Sequence, residues 1–205
     1  MNVIIFGGSF NPVHIGHVFI SCYILSAYKP ERILVVPVYK HAFGKELESF
    51  EHRYEMCRMA MDWIPTVAIS DIEKEIGGVS ITARTIKHLK ESNPNWNIKF
   101  VVGSDSADDL KTGRWKDSEA LLQMAEPLVI RRSPEPLLTH RSPKKDCEIL
   151  PPISSTEIRA SLKGQLPDKI AKTFLPHDVM KYIEEQNLYK PLSYQRAKNL
   201  DKTGA

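Results

Sequence analysis

Apolar residues fall into short, nearly uninterrupted runs separated by stretches in which they recur every three or four positions. The runs Val3–Phe6, Ile33–Val36, Val67–Ser70, Ile98–Val102 and Leu128–Ile130 predict five strands. Their almost wholly apolar character is that of parallel strands covered on both faces. Between them, Phe50, Tyr54, Cys57, Met61 and Ile64 step by 4, 3, 4 and 3 and draw one face of a helix. Further helices are predicted over about residues 17–28, 81–91, 117–124, 155–163 and 177–187. Strand–helix alternation of this kind predicts an α/β protein built on a doubly wound parallel sheet, with a small C-terminal helical segment. Residues 1–190 read as a single domain and 191–205 as a polar, flexible tail without apolar period. The Pro-, Ser- and Lys/Arg-rich stretch Ser133–Lys145 reads as a mobile surface loop.

In such sheets a ligand binds beyond the carboxyl ends of the strands, where strand order reverses. Three polar turns follow apolar runs and are expected to converge there: Gly7–His17, Gly103-Ser104-Asp105 and Ile153–Arg159. The first is neither GxGxxG nor a Walker A loop, since its glycines have the wrong spacing and no Lys-Ser/Thr follows them. Gly7 and Gly8 let the backbone approach a ligand, Asn11-Pro12 makes a turn, and a helix is expected to begin near Ile15 or Gly16. His14 and His17, three residues apart, then share a face. With an ordinary pKa of about 6.5, either can carry charge beside a phosphate. In the third segment Ser154 and Glu157 have the spacing of a capping box, so a helix starts there with open N–H groups. Its hydroxyls and Arg159 lie beside them, a suitable seat for terminal phosphates.

Bulk properties narrow the setting. The chain of 205 residues carries a formal net charge of +3 with its basic residues spread out, which suits anionic substrates and marks no nucleic-acid surface. Cys22, Cys57 and Cys147 are scattered, with no Cys/His cluster. That argues against a disulfide framework or a structural metal site and predicts a reducing, cytoplasmic setting. No apolar run reaches the length of a membrane span.

Together the first and third segments resemble the nucleotidyltransferase superfamily that carries (H/T)xGH near the N-terminus and a late ISSTxIR segment. Within it the chain is similar to the bacterial nicotinate-nucleotide adenylyltransferases. The resemblance runs from Met1 to about Tyr189. It includes Gly77–Thr85, like that family's GGxSYTxDT; Val102–Asp105, like its GAD turn, with Trp115 downstream; and Ile130-Arg131-Arg132. The closing Leu175-Pro176 to Leu188-Tyr189 is like its C-terminal helix. The chain departs from the family at Val13 and Ile81, and at His41–Lys45, which stands where the family has PPHK.

The resemblance implies a Rossmann-like nucleotidyltransferase fold and transfer of the adenylyl group of ATP to nicotinate mononucleotide, giving deamido-NAD and pyrophosphate. Mg²⁺ would come with the ATP, bound through phosphate oxygens and water. His14, His17 and Arg159 would be the catalytic residues, with Gly8, Ser9, Phe10, Lys45 (Lys40 the alternative), Gly103, Asp105, Ser155 and Thr156 completing the ATP site. Thr82, Thr85, Trp115 and Arg132 are the candidates for the pyridine mononucleotide. ATP and that mononucleotide are the expected partners, with neither nucleic acid nor membrane; a homo-oligomer is compatible with the sequence. Two alternatives remain at this point: nicotinamide mononucleotide as the preferred acceptor, and a non-catalytic nucleotide sensor with the same fold.

Overall fold

The computed structural model describes residues 1–41, 44–132, 148–150 and 153–190. Its frame is a parallel sheet in the order β3-β2-β1-β4-β5-β6. The strands are β1 (Asn2–Gly8), β2 (Arg32–Pro37), β3 (Val67–Ile69), β4 (Asn97–Gly103), β5 (Glu126–Arg132) and β6 (Glu148–Leu150). The first five are the five apolar runs; β6 is an addition, a three-residue edge strand that pairs irregularly with β5 beside Arg131 and Arg132. The expected Ser133–Lys145 loop and 191–205 tail lie outside the described residues, as does Cys147.

Period-two alternation splits each central strand between two cores. Ile4, Phe6, Ile33, Val35, Leu128 and Ile130 face one side, where they pack with buried residues of α1 (Ile15–Tyr28), α2 (Phe50–Met61), α7 (Ser155–Leu162), α8 (Lys169–Phe174) and α9 (His177–Glu185). Val3, Ile5, Leu34, Val36, Phe100 and Val102 face the other. There they meet α3 (Ile72–Ile76), α4 (Thr82–Ser92), α5 (Ser104–Lys111) and α6 (Ser118–Met124). Strands covered on both faces explain why the sequence shows runs rather than alternation.

The sheet opens where the order reverses. β1 stays paired with β2 as far as Gly8–Pro37, and β4 with β5 as far as Gly103–Ile130. Between β1 and β4 the ladder stops at Ile5–Phe100. The last residues of these two strands therefore splay apart and form a crevice at the switch point. Of the helices the pattern predicted, each is present within a few residues. The short α3, α5 and α8 were not foreseen, being too brief to show a period. α5 follows β4 directly: Gly103 is its N-cap and Ser104 its first residue, so the expected Gly103–Asp105 turn is instead a strand-to-helix junction.

Phe100, among the largest fully buried side chains, anchors the second core at the end of the β1–β4 ladder. Replacing it by alanine should cost about 3–5 kcal/mol in chemical denaturation. Leu122→Ala, at a side chain 42% exposed, should stay within about 0.5 kcal/mol.

Candidate active site

The turn between β1 and α1 is fixed by its carbonyls. Ser9, Asn11 and Pro12 leave the sheet without strand partners, yet each carbonyl oxygen is taken by a side chain from elsewhere. Arg53 Nη1 donates to Ser9 O at 2.9 Å, Arg159 Nη1 to Asn11 O at 2.6 Å, and Ser155 Oγ to Pro12 O at 3.0 Å. Buried carbonyls left unpaired would each cost roughly 1–3 kcal/mol, so these contacts hold the turn in one shape. Phe10 sits in the left-handed region, with φ 45°, and turns its ring inward beneath Gly8. A Cβ on Gly8 would stand 3.1 Å from that ring, so a larger residue there would have to push the ring back by a few tenths of an ångström. Phe10 is core rather than ligand surface, stacked edge-on against Phe6 and His17.

His14 is the N-cap of α1 and only 4% exposed; His17 stands at the third helical position. Their rings lie against each other at a tilt of 35°, centroids 3.8 Å apart. The His14 backbone N–H donates to His17 Nδ1 at 3.1 Å. With Nδ1 accepting, the neutral ring carries its proton at Nε2, on the edge away from the backbone. Gly16 makes this stacking possible: a Cβ there would meet His14 Cε1 and Nδ1 at 3.0 Å. The glycine of the His-Ile-Gly-His run thus gives the first histidine room to lie over the start of the helix.

The N-terminus of α7 closes against the same turn. Ser154 caps it by accepting from Thr156 N–H at 3.1 Å, one residue earlier than a capping box requires. Arg159 Nη2 donates to Thr156 Oγ1 at 3.2 Å. The Ile153 Cβ lies 3.8 Å from where a Gly16 Cβ would be. The first and third sequence segments therefore meet, bringing His14, His17, Ser155, Thr156 and Arg159 together. Lys45 joins them electrostatically: burial first, and then the charge of Arg159, hold its ammonium below the usual lysine range. His41 is lowered in turn by burial and by Lys45. Arg159 thus bears on Lys45 and Lys45 on His41, a run of cationic groups beside which an anion would be favoured. Beside them a cavity of about 480 Å³ is lined by the cations Lys40, Lys45 and Arg53 with His41, and also by the carboxylates Glu48 and Glu51. Lys40, the alternative cation, lies over the Tyr39 ring at 5.7 Å.

The remaining candidates divide. Gly103 ends β4 on the far lip of the crevice, and Asp105 stands on the first turn of α5, its side chain outside the described residues. Arg132 closes β5, and its side chain is likewise not described. Thr82 opens α4 and is half-buried. Trp115, half-buried, packs on the second core. Thr85 departs from expectation: it is buried, and its hydroxyl donates to the buried Glu73 carboxylate. Its proton is committed to the protein, so Thr85 has no donor left for a substrate. The 77–85 segment is braced instead by Arg84, whose Nη2 donates to Gly77 O and Val79 O at 2.6 Å each. Ser80 accepts from Tyr39 N–H at 2.9 Å and ties that segment to the end of β2.

Two residues of the site's framework were not singled out from the sequence. Arg53 is 1% exposed, with Nε on Glu48 O at 2.9 Å; burial lowers its pKa. The signal was available, because Arg53 falls three residues after Phe50 and four before Cys57, on the apolar stripe of α2. Asn11 lay inside the quoted motif but was read only as part of a turn. Its side chain is buried, and its Oδ1 accepts from Glu48 N–H at 3.2 Å and from Tyr189 Oη at 2.9 Å.

The chain is similar to known proteins in sequence and in fold. The sequence pattern of the cytidylyltransferase-like family matches residues 5–161. A probable nicotinate-nucleotide adenylyltransferase of Anaeromyxobacter dehalogenans is 34% identical over 197 residues, covering 92% of this chain and 96% of that one. One of Borreliella burgdorferi with the same name is 31% identical over 193 residues, covering 92% and 97%. Among solved structures, the Plasmodium falciparum nicotinic acid mononucleotide adenylyltransferase complexed with NaAD superposes with a TM-score of 0.76 at 24% identity, covering 92% of this chain and 97% of that one. Its complex with APC gives 0.72 at 25%, covering 92% and 96%.

Two outcomes test this geometry. Arg53→Met keeps the apolar stem but strips the donors from Ser9 O and Glu48 O, and should lower stability by about 2–4 kcal/mol in a denaturant titration. Gly16→Ala should leave Tm within a few degrees, since alanine favours the helix by about 1 kcal/mol. It should nonetheless shift the His14 ring resonances by NMR; an unmoved His14 would contradict the close packing.

Proposed function

We infer that this chain, which belongs to the cytidylyltransferase-like family and within it to the nicotinate-nucleotide adenylyltransferases, transfers the adenylyl group of ATP to nicotinate mononucleotide in the synthesis of NAD. The observation that carries the reading is the meeting of the two histidines with the α7 N-terminus and Arg159 on one turn. Such a site can hold a triphosphate at both its reacting and its departing end. The crevice between β1 and β4 leaves room for the rest of the nucleotide. Relatives over 30% identical across almost their whole length support the acceptor, as does the likeness to an enzyme complexed with NaAD.

In the reaction an oxygen of the mononucleotide's 5′-phosphate attacks the α-phosphorus of ATP. A new P–O bond forms, the α–β bridge breaks, and pyrophosphate leaves with the bridging electrons. The dinucleotide product is deamido-NAD. No protein nucleophile takes part, so the protein contributes positioning and charge stabilisation. His17, presenting Nε2–H, donates to the oxygens on which charge builds, and the stacked His14 holds it there. Arg159, with Ser155 and Thr156, receives the β- and γ-phosphates, and Lys45 adds a further cation. Arg159 and Ser155 already rest on Asn11 O and Pro12 O, so the leaving-group residues are set relative to the histidines before ATP arrives.

Gly8 and Ser9 present backbone to the phosphates, with Phe10 supporting them from beneath. Gly103 and Asp105, across the crevice, are assigned to the adenosine side. Thr82, Trp115 and Arg132 remain the candidates for the mononucleotide; Thr85 lines that region through its packing. Mg²⁺ enters as part of the ATP substrate: the clamp gathers cations and N–H groups, which fits an ion held by phosphate oxygens and water. Among the described residues no helix is long and apolar enough to cross a membrane, and we place the enzyme in the cytoplasm. Residues 1–190 we take as the single domain that binds both substrates.

Purified protein given ATP, Mg²⁺ and nicotinate mononucleotide should release pyrophosphate, and faster than with nicotinamide mononucleotide. Preference for the amide would reassign the acceptor, and binding of ATP without turnover would favour a nucleotide sensor. His17→Ala should lower kcat by a factor of about 10² or more, the loss typical of one transition-state donor. A change under about threefold would remove His17 from that role.

A further inference from the structure

We propose that Tyr189 is a positioning residue of the triphosphate site: its hydroxyl sets the Asn11 side chain, and through Asn11 the carbonyl on which Arg159 rests. The inference deepens the ATP-clamp reading above and rests on it. Tyr189 lies beyond α9, 178 residues from Asn11, and the chain bends back to bring it there. Asn187 and Tyr189 both adopt the left-handed region, with φ 55° and 60°, a conformation that non-glycine residues enter at a cost. The bend delivers a buried phenol whose Oη donates to Asn11 Oδ1 at 2.9 Å. Burial raises the Tyr189 pKa far above its ordinary value, so the phenol remains a proton donor.

A closed circuit results. Asn11 Oδ1 also accepts from Glu48 N–H at 3.2 Å. The Glu48 carboxylate accepts from Tyr189 N–H at 3.3 Å. Both lone pairs of Oδ1 are thereby used, and they determine which way the amide faces. The opposite end gives little help, since Asn11 Nδ2 reaches Glu46 O only at 3.5 Å. Without the phenol the amide keeps one acceptor bond and is free to turn, and both ends of the clamp lose their reference. On one side is the Asn11 carbonyl, 2.6 Å from Arg159 Nη1; on the other is the 46–48 segment that follows Lys45. The C-terminal element thus acts on ATP without touching it.

The test uses Tyr189→Phe in the full chain, with KM for each substrate, the calorimetric Kd for ATP, and Tm. Tyr182→Phe is the control. It removes another hydroxyl of the same C-terminal element, which hydrogen-bonds His52 Nδ1 at 2.8 Å, with no link to Asn11. Tyr189→Phe should raise KM and Kd for ATP about five- to tenfold, the factor one buried hydrogen bond supplies. KM for nicotinate mononucleotide should stay within about twofold. Tyr182→Phe should lower Tm comparably and leave ATP binding unchanged. The proposal fails if Tyr189→Phe leaves ATP affinity within about twofold of wild type. It fails equally if both substrates weaken together in proportion to lost Tm, in either variant. Should Tyr189→Phe not fold, Asn11→Ala must give the same selective loss of ATP affinity, and unchanged affinity there overturns the proposal. A wild-type chain that binds ATP but transfers nothing would defeat the adenylyltransferase reading while the calorimetric comparison still decides the role of Tyr189.

Discussion

The turn between β1 and α1 has no secondary structure of its own to satisfy its carbonyls, and everything at the site follows from how they are satisfied. Ser9, Asn11 and Pro12 are served by Arg53 from α2 and by Arg159 and Ser155 from α7. A buried loop must find such partners or unfold locally. Here the partners include residues that can also meet phosphate. The requirement that stabilises the turn therefore also places the cationic end of the site, with no separate device needed to align them.

The sheet supplies the space. Because the β1–β4 ladder ends at Ile5–Phe100 while the flanking ladders continue, the crevice opens beside the anchored turn. α1 starts at its edge, with Gly16 thinned to let the His14 ring lie on it. The two histidines stack, and the His14 amide directs the Nε2–H of His17 away from the backbone. Transfer to the α-phosphorus asks for a fixed donor at the developing charge and fixed cations on the leaving group, and little else. A rigid turn braced by three side chains from two helices is a sufficient physical answer to that demand. The C-terminal Tyr189 extends the bracing to the last described stretch of the chain.

Five strands and the longer helices were legible because burial on both sheet faces writes apolar runs and 3.6-residue stripes into the sequence. The edge strand β6, the five-residue α3 and the six-residue α8 are too short to carry a period, and α5 was hidden because it begins at the very residue where β4 ends. The two segments proposed to hold phosphate were legible from residue type and order, and they do meet. What the sequence could not show was how hydroxyls and carbonyls are shared between distant segments. Thr85 matched a motif position, yet its proton goes to Glu73. Ser154 has capping-box spacing but bonds Thr156 N–H. Arg53 sat on an apolar stripe, the one local sign that a guanidinium was buried for a purpose. The Tyr189–Asn11 bond spans nearly the whole chain and leaves no local signature at all.

Central to this account is that the β1–α1 turn and the start of α7 form one clamp on a single triphosphate. Amide hydrogen exchange with and without Mg·ATP tests that directly. The account predicts that ATP slows exchange in Ser9–His17 and Ser154–Arg159 together, at the same ATP concentration, while nicotinate mononucleotide alone protects neither segment to that extent. Protection confined to one of the two segments, or appearing in them at different ATP concentrations, would contradict it.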